Sequence, residues 1–357
     1  MPRRVAATVL LLLLLPAFAA RAQAWRAGVD PRVELMSILF RLAGNPEYNQ
    51  CRIPAYDKAI ETWFAPYRDH QAVKLAHGLD IGFESPMKLA VYVTDADSLA
   101  ERVPFDAPGF HLCQGWDAAK VRAFLNAARA FVVDSKFKEF LTSQQPLYQA
   151  TNVRVRAFVE TKADLPWFSR FFGSSTLGRF AILPGLANGS PSYAVRFVGP
   201  GGAEVIYAIP GVWTLDAAGL PLFNADWRST VVHQFVRSYC GPLVDKFAPG
   251  MEKSARRIYA SVGDAALPHS SGNWKMVLDE SLVRAVAVRY TIDHDGAAAA
   301  RNLVRAESAH SFVWVGDLSN LLGQYEKDRQ HYPTLESFMP RVAQFFDDLA
   351  PRMPAPK

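Results

Sequence analysis

Apolar positions recur at helical spacing over most of the chain and give way to alternation in one central stretch. Asp30 and Pro31 offer a capping side chain followed by proline in the first turn. Val33, Met36, Leu39, Phe40 and Ala43 then mark one helical face, which Gly44, Asn45 and Pro46 close. A second helix is predicted from Tyr56 to Tyr67, and Ser85-Pro86 opens a third. Residues 117–161 are strongly helical in pattern, with breaks near Ser135 and at Gln144–Pro146. Past Gly173 the texture changes. Arg179–Leu183, Tyr193–Val198 and Ala203–Ile209 read as short strands, with turn residues at Gly185–Pro191 and Gly199–Gly202. The last two strands form an antiparallel hairpin. Helical spacing then returns at 229–239, where Gly241-Pro242 supplies a stop, and again at Trp274–Tyr290, Phe312–Tyr325 and Leu335–Leu349. Asp293–Ala300 reads as a flexible interval and Pro351–Lys357 as a frayed tail.

This order of elements predicts an α+β fold, mainly helical with a small antiparallel-containing sheet. Neither a repeat nor a linker long enough to separate domains interrupts residues 25–350, so one domain is expected. Within it, residues 25–165 form a helical layer, and 166–350 carry the sheet and the helices that follow.

Composition adds three constraints. Half of the 357 residues are apolar and one fifth are charged, enough for a sizeable core and against disorder. Arg3 and Arg4 precede an apolar run from Val5 to Ala19, and Ala22-Gln23-Ala24 is a small-x-small cleavage pattern, so residues 1–24 read as a secretory signal. That predicts a periplasmic or secreted protein with no membrane span in the mature chain. Removing the segment takes Arg3, Arg4 and Arg21 with no acid, lowering the net charge from +5 to +2, and nucleic-acid binding gains no support. Of the three cysteines, Cys51 and Cys113 could form one bridge, and three buried thiols are the alternative.

Candidate chemistry concentrates on the helix at 229–242. Val231, Val232, Phe235, Val236 and Tyr239 form its apolar stripe, with His233, Gln234 and Arg237 beside it. Zinc peptidases carry H-E-x-x-H on such a helix: two histidines one turn apart share the ion, and the glutamate takes a proton from bound water. Here the string is His233-Gln234-Phe235-Val236-Arg237. Tyr193 in the sheet is the candidate for an oxyanion-stabilising group, against the plainer reading of a core tyrosine. Cys240 is too far along the helix axis from His233, roughly 10 Å, to pair with it. His111 with Cys113 lacks a third group, and Asp293-His294-Asp295 reads as a solvated turn.

Several phrases together resemble a family of bacterial exported proteins known as domain of unknown function 4932, with zinc-peptidase-like motifs. They are VDPRVELMSILFRLAGNPEYNQ (29–50), WFSRFFG (167–173), LPGLANG (183–189), VVHQFVRSYCGPLVDKF (231–247), LDESLVRAVAVRY (278–290) and YEKDRQHYPTLESFMPRVAQFF (325–346). In that family the central helix reads H-E-F-x-H-S-[FY]-x-N-P. The resemblance therefore implies a zincin-like core, a ligand position at His233, a degenerate base position at Gln234 and a degenerate ligand position at Arg237. It also implies a third, glutamate ligand position at Glu280.

An amide cannot accept a proton from attacking water at neutral pH, and a guanidinium stays protonated and repels an ion. The sequence thus predicts a pseudopeptidase with no cofactor, acting as a binding or regulatory module on a peptide or protein ligand in the inherited cleft. The alternatives are a zinc-dependent hydrolase with a rebuilt site, and a structural envelope protein. Two pairings are open for Glu280: Arg237 across the vacated metal position, or Arg284 one turn along its own helix.

Overall fold

The computed structural model describes residues 25–79, 85–107, 117–173, 179–266 and 273–354. The signal-like segment and the expected partners Cys113 and His111 lie outside the described residues.

The chain begins with a short strand, β1 (Trp25–Ala27), and enters α1 (Pro31–Leu42) through Asp30. The Asp30 carboxylate caps the helix by accepting the Arg32 N–H at 3.0 Å, and it also takes the Arg32 guanidinium at both oxygens. Every residue from Arg32 to Leu42 is buried, so α1 is the axis of the N-terminal core rather than a surface helix. Around it pack α2 (Pro54–Phe64), α3 (Gln71–Gly78), α4 (Ser85–Tyr92), α5 (Ala118–Asp134), α6 (Phe137–Ser143) and α7 (Gln145–Lys162). The breaks fall where the sequence puts them: Lys136 takes a left-handed conformation, and Pro146 sits in the first turn of α7. Next comes α8 (Leu165–Phe172), capped by Asp164 and closed by Gly173 at φ +67°.

Three more strands follow: β2 (Arg179–Ile182), β3 (Tyr193–Val198) and β4 (Glu204–Ile209). The hairpin is present, β3 running antiparallel to β4 with Tyr193 opposite Ile209. The rest of the sheet is parallel, in the order β1-β2-β4-β3, with Trp25 opposite Phe180 and Phe180 opposite Ile206. This four-stranded mixed sheet separates two cores. Phe180, Ile182, Ile206 and Ala208 face one, while Tyr193, Val195, Phe197, Tyr207 and Ile209 face the other with the N-terminal helices.

The second core is built by α9 (Ala225–Ala266), α10 (Lys275–Ala309), α11 (Val315–Lys327) and α12 (Leu335–Leu349). Here the structure corrects three expectations. First, α9 does not stop at Gly241-Pro242; it continues through Pro242 and Pro249. Its apolar face runs on through Val244, Ala248, Met251, Ala255 and Ile258, all buried, and that burial outweighs a cost of about 3 kcal/mol at each proline. Second, Asp293–Ala300 is helical apart from a single non-helical residue, Gly296, because the four alanines after it are the best helix formers available. The Asp293-His294-Asp295 run is no solvated turn. Asp293 accepts from Trp167 Nε1 at 2.8 Å, His294 stacks on Tyr290 at 3.9 Å, and Asp295 pairs with Arg228 at 2.5 Å. Third, the start of the tail is docked: Met353 is buried, and its carbonyl accepts from Arg257.

Two of the recurring phrases meet inside the molecule. Glu34 of α1 accepts the backbone N–H of Leu186 at 2.9 Å, and Ser37 donates to Asn188 Oδ1 at 2.6 Å. The LPGLANG loop is thereby fastened to the N-terminal helix, close beneath the sheet. Gly189 allows the approach, at φ +67° with the Gln50 carbonyl where a Cβ would stand.

Candidate functional site

Helix α9 places its apolar stripe, from Val231 to Cys240, into the second core, and this orients the adjoining polar face toward α10. That face carries His233, Gln234 and Arg237. From α10 comes Glu280, on the helix that packs most extensively against α9. Residues 47 positions apart in sequence are thus brought together by the packing of two helices.

Glu280 is the hub. Its carboxylate is almost wholly buried, with 9% of the side chain exposed. Arg284 Nη2 approaches Oε2 at 3.1 Å, Arg237 Nη1 lies 3.5 Å from Oε1, and His233 Nε2 is 4.0 Å from Oε2. Both pairings left open by the sequence are realised at once. Arg284 reaches further, pairing with Glu307 and lying 4.4 Å over the Phe312 ring. Arg237 also has Asp279 within reach, its Nε 3.9 Å from Oδ2. The result is an alternating chain of charges in which each guanidinium bridges carboxylates.

His233 behaves differently. Burial pushes its ring down to about 4, with the Glu280 carboxylate pulling the other way and Arg284 and Arg237 adding to the depression. At neutral pH it is therefore an uncharged imidazole. Its edge opens on a small cleft of about 100 Å³, where Ser229 and Thr291 stand with the Arg228–Asp295 pair and Glu307. Gln234 is 7% exposed, and its carbonyl oxygen Oε1 has no hydrogen-bond partner among the described residues.

Zinc needs three protein donors at about 2.0–2.2 Å with a fourth position for water. His233 and Glu280 are two donors, but the third position belongs to a guanidinium. Glu280 would have to leave two cations to ligate a third. Among the described residues no group of three or more His, Cys, Asp or Glu side chains is placed to hold an ion. These residues do not fit the metal.

Tyr193 is separated from the cluster. Its side chain points to the N-terminal core, fully buried and stacked on Tyr48 at 6.2 Å, on the sheet face away from α9. The structure thus places Tyr193 among core aromatics and does not bring it to the His233 cluster. Cys240 is fully buried in the second core, where burial pushes its thiol up. Glu307 was not identifiable from sequence, because it lies between the interval at 293–300 and the helix predicted from Phe312, where no element was expected.

The family model described as Domain of unknown function (DUF4932) matches residues 26–345. No curated protein matches, and no solved structure does.

Proposed function

The chain belongs to this family of unknown function, and from that premise we propose that it is an exported pseudopeptidase, a zincin-like relative without hydrolytic activity. It serves as a binding or regulatory module for a peptide or protein segment. The observation that carries this reading is the Arg237 guanidinium 3.5 Å from Glu280, a protein cation in the position where the family text puts a metal ligand. Arg237 and Arg284 neutralise the carboxylate that would otherwise need an ion. Gln234 offers an amide in place of a base, and His233 presents a neutral ring to the cleft. A neutral imidazole with two hydroxyls beside it in the cleft can donate and accept hydrogen bonds to a ligand.

Metal analysis of the purified, dialysed protein tests the reading. The wild type is expected to hold far less than one equivalent of zinc and to leave peptide substrates intact. The double substitution Gln234→Glu with Arg237→His is expected to take up about one equivalent. Stoichiometric zinc in the wild type, or peptide cleavage by it, would overturn the proposal in favour of a working hydrolase. Failure of the wild type to retain any peptide from an envelope digest would leave a structural role.

A further inference from the structure

A second cavity, of about 420 Å³, lies between the later part of α10 and the start of α11, and it shares no lining residue with the His233 cleft. Val288, Ile292, Ala297, Ala300 and Val304 give it apolar walls. Gly316 keeps α11 close there, since a Cβ would come within 3.1 Å of the Val304 side chain. The volume is that of a small-molecule site.

Two features mark it as more than a packing fault. Ser319 lines the cavity and is 2% exposed, yet its hydroxyl has no hydrogen-bond partner among the described residues. A serine inside a helix ordinarily donates to the carbonyl four residues back, so a buried hydroxyl left without a partner points to one supplied from outside. The charge is also one-sided. Arg301 and Arg305 stand one turn apart on the lining, and no carboxylate joins them there. Among the described residues Arg305 bonds to the neutral Asn302 and joins no ion pair, and both arginines are exposed. After the break at Gly296 the helix resumes at Ala297, which puts its positive end at the same rim.

We infer that this cavity binds an aliphatic monocarboxylate of medium chain length. The tail lies along Val288, Ile292 and Val304, the carboxylate meets Arg301 and Arg305, and the Ser319 hydroxyl donates to the ligand. An apolar pocket with a cationic mouth selects such a molecule over a neutral one of equal length, because only the anion draws on the guanidiniums. The inference does not depend on the reading of the His233 site.

Calorimetric titration of the full chain with octanoate and with 1-octanol tests it. Octanoate is expected to bind at one per chain and at least tenfold more tightly than octanol. The pair Arg301→Gln and Arg305→Gln should bring octanoate down to the octanol level and leave octanol unchanged. Ser319→Val, close to isosteric, should weaken octanoate threefold or more. Ala297→Trp, at an exposed lining position, should block both ligands without altering the circular dichroism spectrum. Three results would each overturn the inference: no saturable binding of octanoate, equal binding of acid and alcohol, or a chain that dimerises through this face and excludes octanoate.

Discussion

The Arg237 guanidinium lies 3.5 Å from the Glu280 carboxylate, on the seam between the two longest described helices. Because Arg284 holds the same carboxylate, the two ends of this contact are unequal in energy. Removing Glu280 takes the shared partner from two half-buried cations, leaving Arg237 only the distant Asp279 and Arg284 only Glu307, which costs about 2 kcal/mol. Removing Arg237, which is 31% exposed, leaves Glu280 still paired and costs about 1 kcal/mol. Urea unfolding of Glu280→Ala and Arg237→Ala measures both. Equal losses would mean that Glu280 is not the hub.

A buried carboxyl and a partly buried imidazole give the folding stability opposing slopes with pH. Burial raises Glu34 from 4.5 to about 7, against the pull of the Tyr56 hydroxyl and the Leu186 N–H. Between those values the folded state holds a proton that the unfolded chain releases, so this contribution is complete below pH 4.5 and is lost as pH rises to 7. Its size is about 3 kcal/mol. His233, lowered from 6.5 to about 4, acts in reverse: its contribution is complete above pH 6.5 and is lost as pH falls toward 4. The two largely cancel in the wild type. Urea midpoints across this range should therefore rise with pH in Glu34→Gln and fall with pH in His233→Gln. Curves parallel to the wild type would remove both assignments.

Gly189→Ala is expected to cost about 4 kcal/mol, combining a left-handed backbone with a Cβ placed 2.0 Å from the Gln50 carbonyl. Gly219→Ala has a similar φ, +74°, but meets nothing within 4 Å, so about 1 kcal/mol is expected from strain alone. Thermal unfolding of the two variants separates crowding from conformation. Similar losses would show that the LPGLANG loop does not need its close approach.

Pro242→Ala should stabilise the protein. Position 242 is exposed inside a continuous helix, and alanine restores an amide donor toward the Ser238 carbonyl. Against about 3 kcal/mol for an interior proline stands about 1 kcal/mol of extra freedom in the unfolded chain. A net gain of about 1–2 kcal/mol in chemical unfolding is the expected outcome, and a loss would mean that the proline fits a local bend in α9.

Local signals were legible where local energetics decide. Asp30-Pro31, Ser135, Pro146 and the glycines around 199–202 act within a few residues, and the elements begin and end where they fall. The long helices were underread for the opposite reason. Pro242 and Pro249 carry local penalties, and the burial that overcomes them comes from residues far away in sequence, whereas at 293–300 four alanines outweigh one glycine within the run itself. Strand β1 was missed because three residues show no period, and its partner lies beyond α8.

The site shows the same division. Helical spacing placed His233, Gln234 and Arg237 together, and the spacing of Glu280 and Arg284 announced their contact. For Tyr193, alternation fixes which residues share a face, but not which face meets which layer of helices. That choice depends on how the hairpin docks.

The parallel pairing of β1 with β2 has a kinetic consequence. Trp25 finds its place only beside Phe180, and that strand is in turn secured by Ile206. Strand β1 must therefore wait for the middle of the chain, whichever helices have already formed. Contacts so distant in sequence place a protein among the slow folders, which need milliseconds to seconds. Until the sheet closes, both apolar surfaces that it later separates stay open to solvent and to other chains. Refolding yield should depend on protein concentration more steeply than the high helix content alone would suggest.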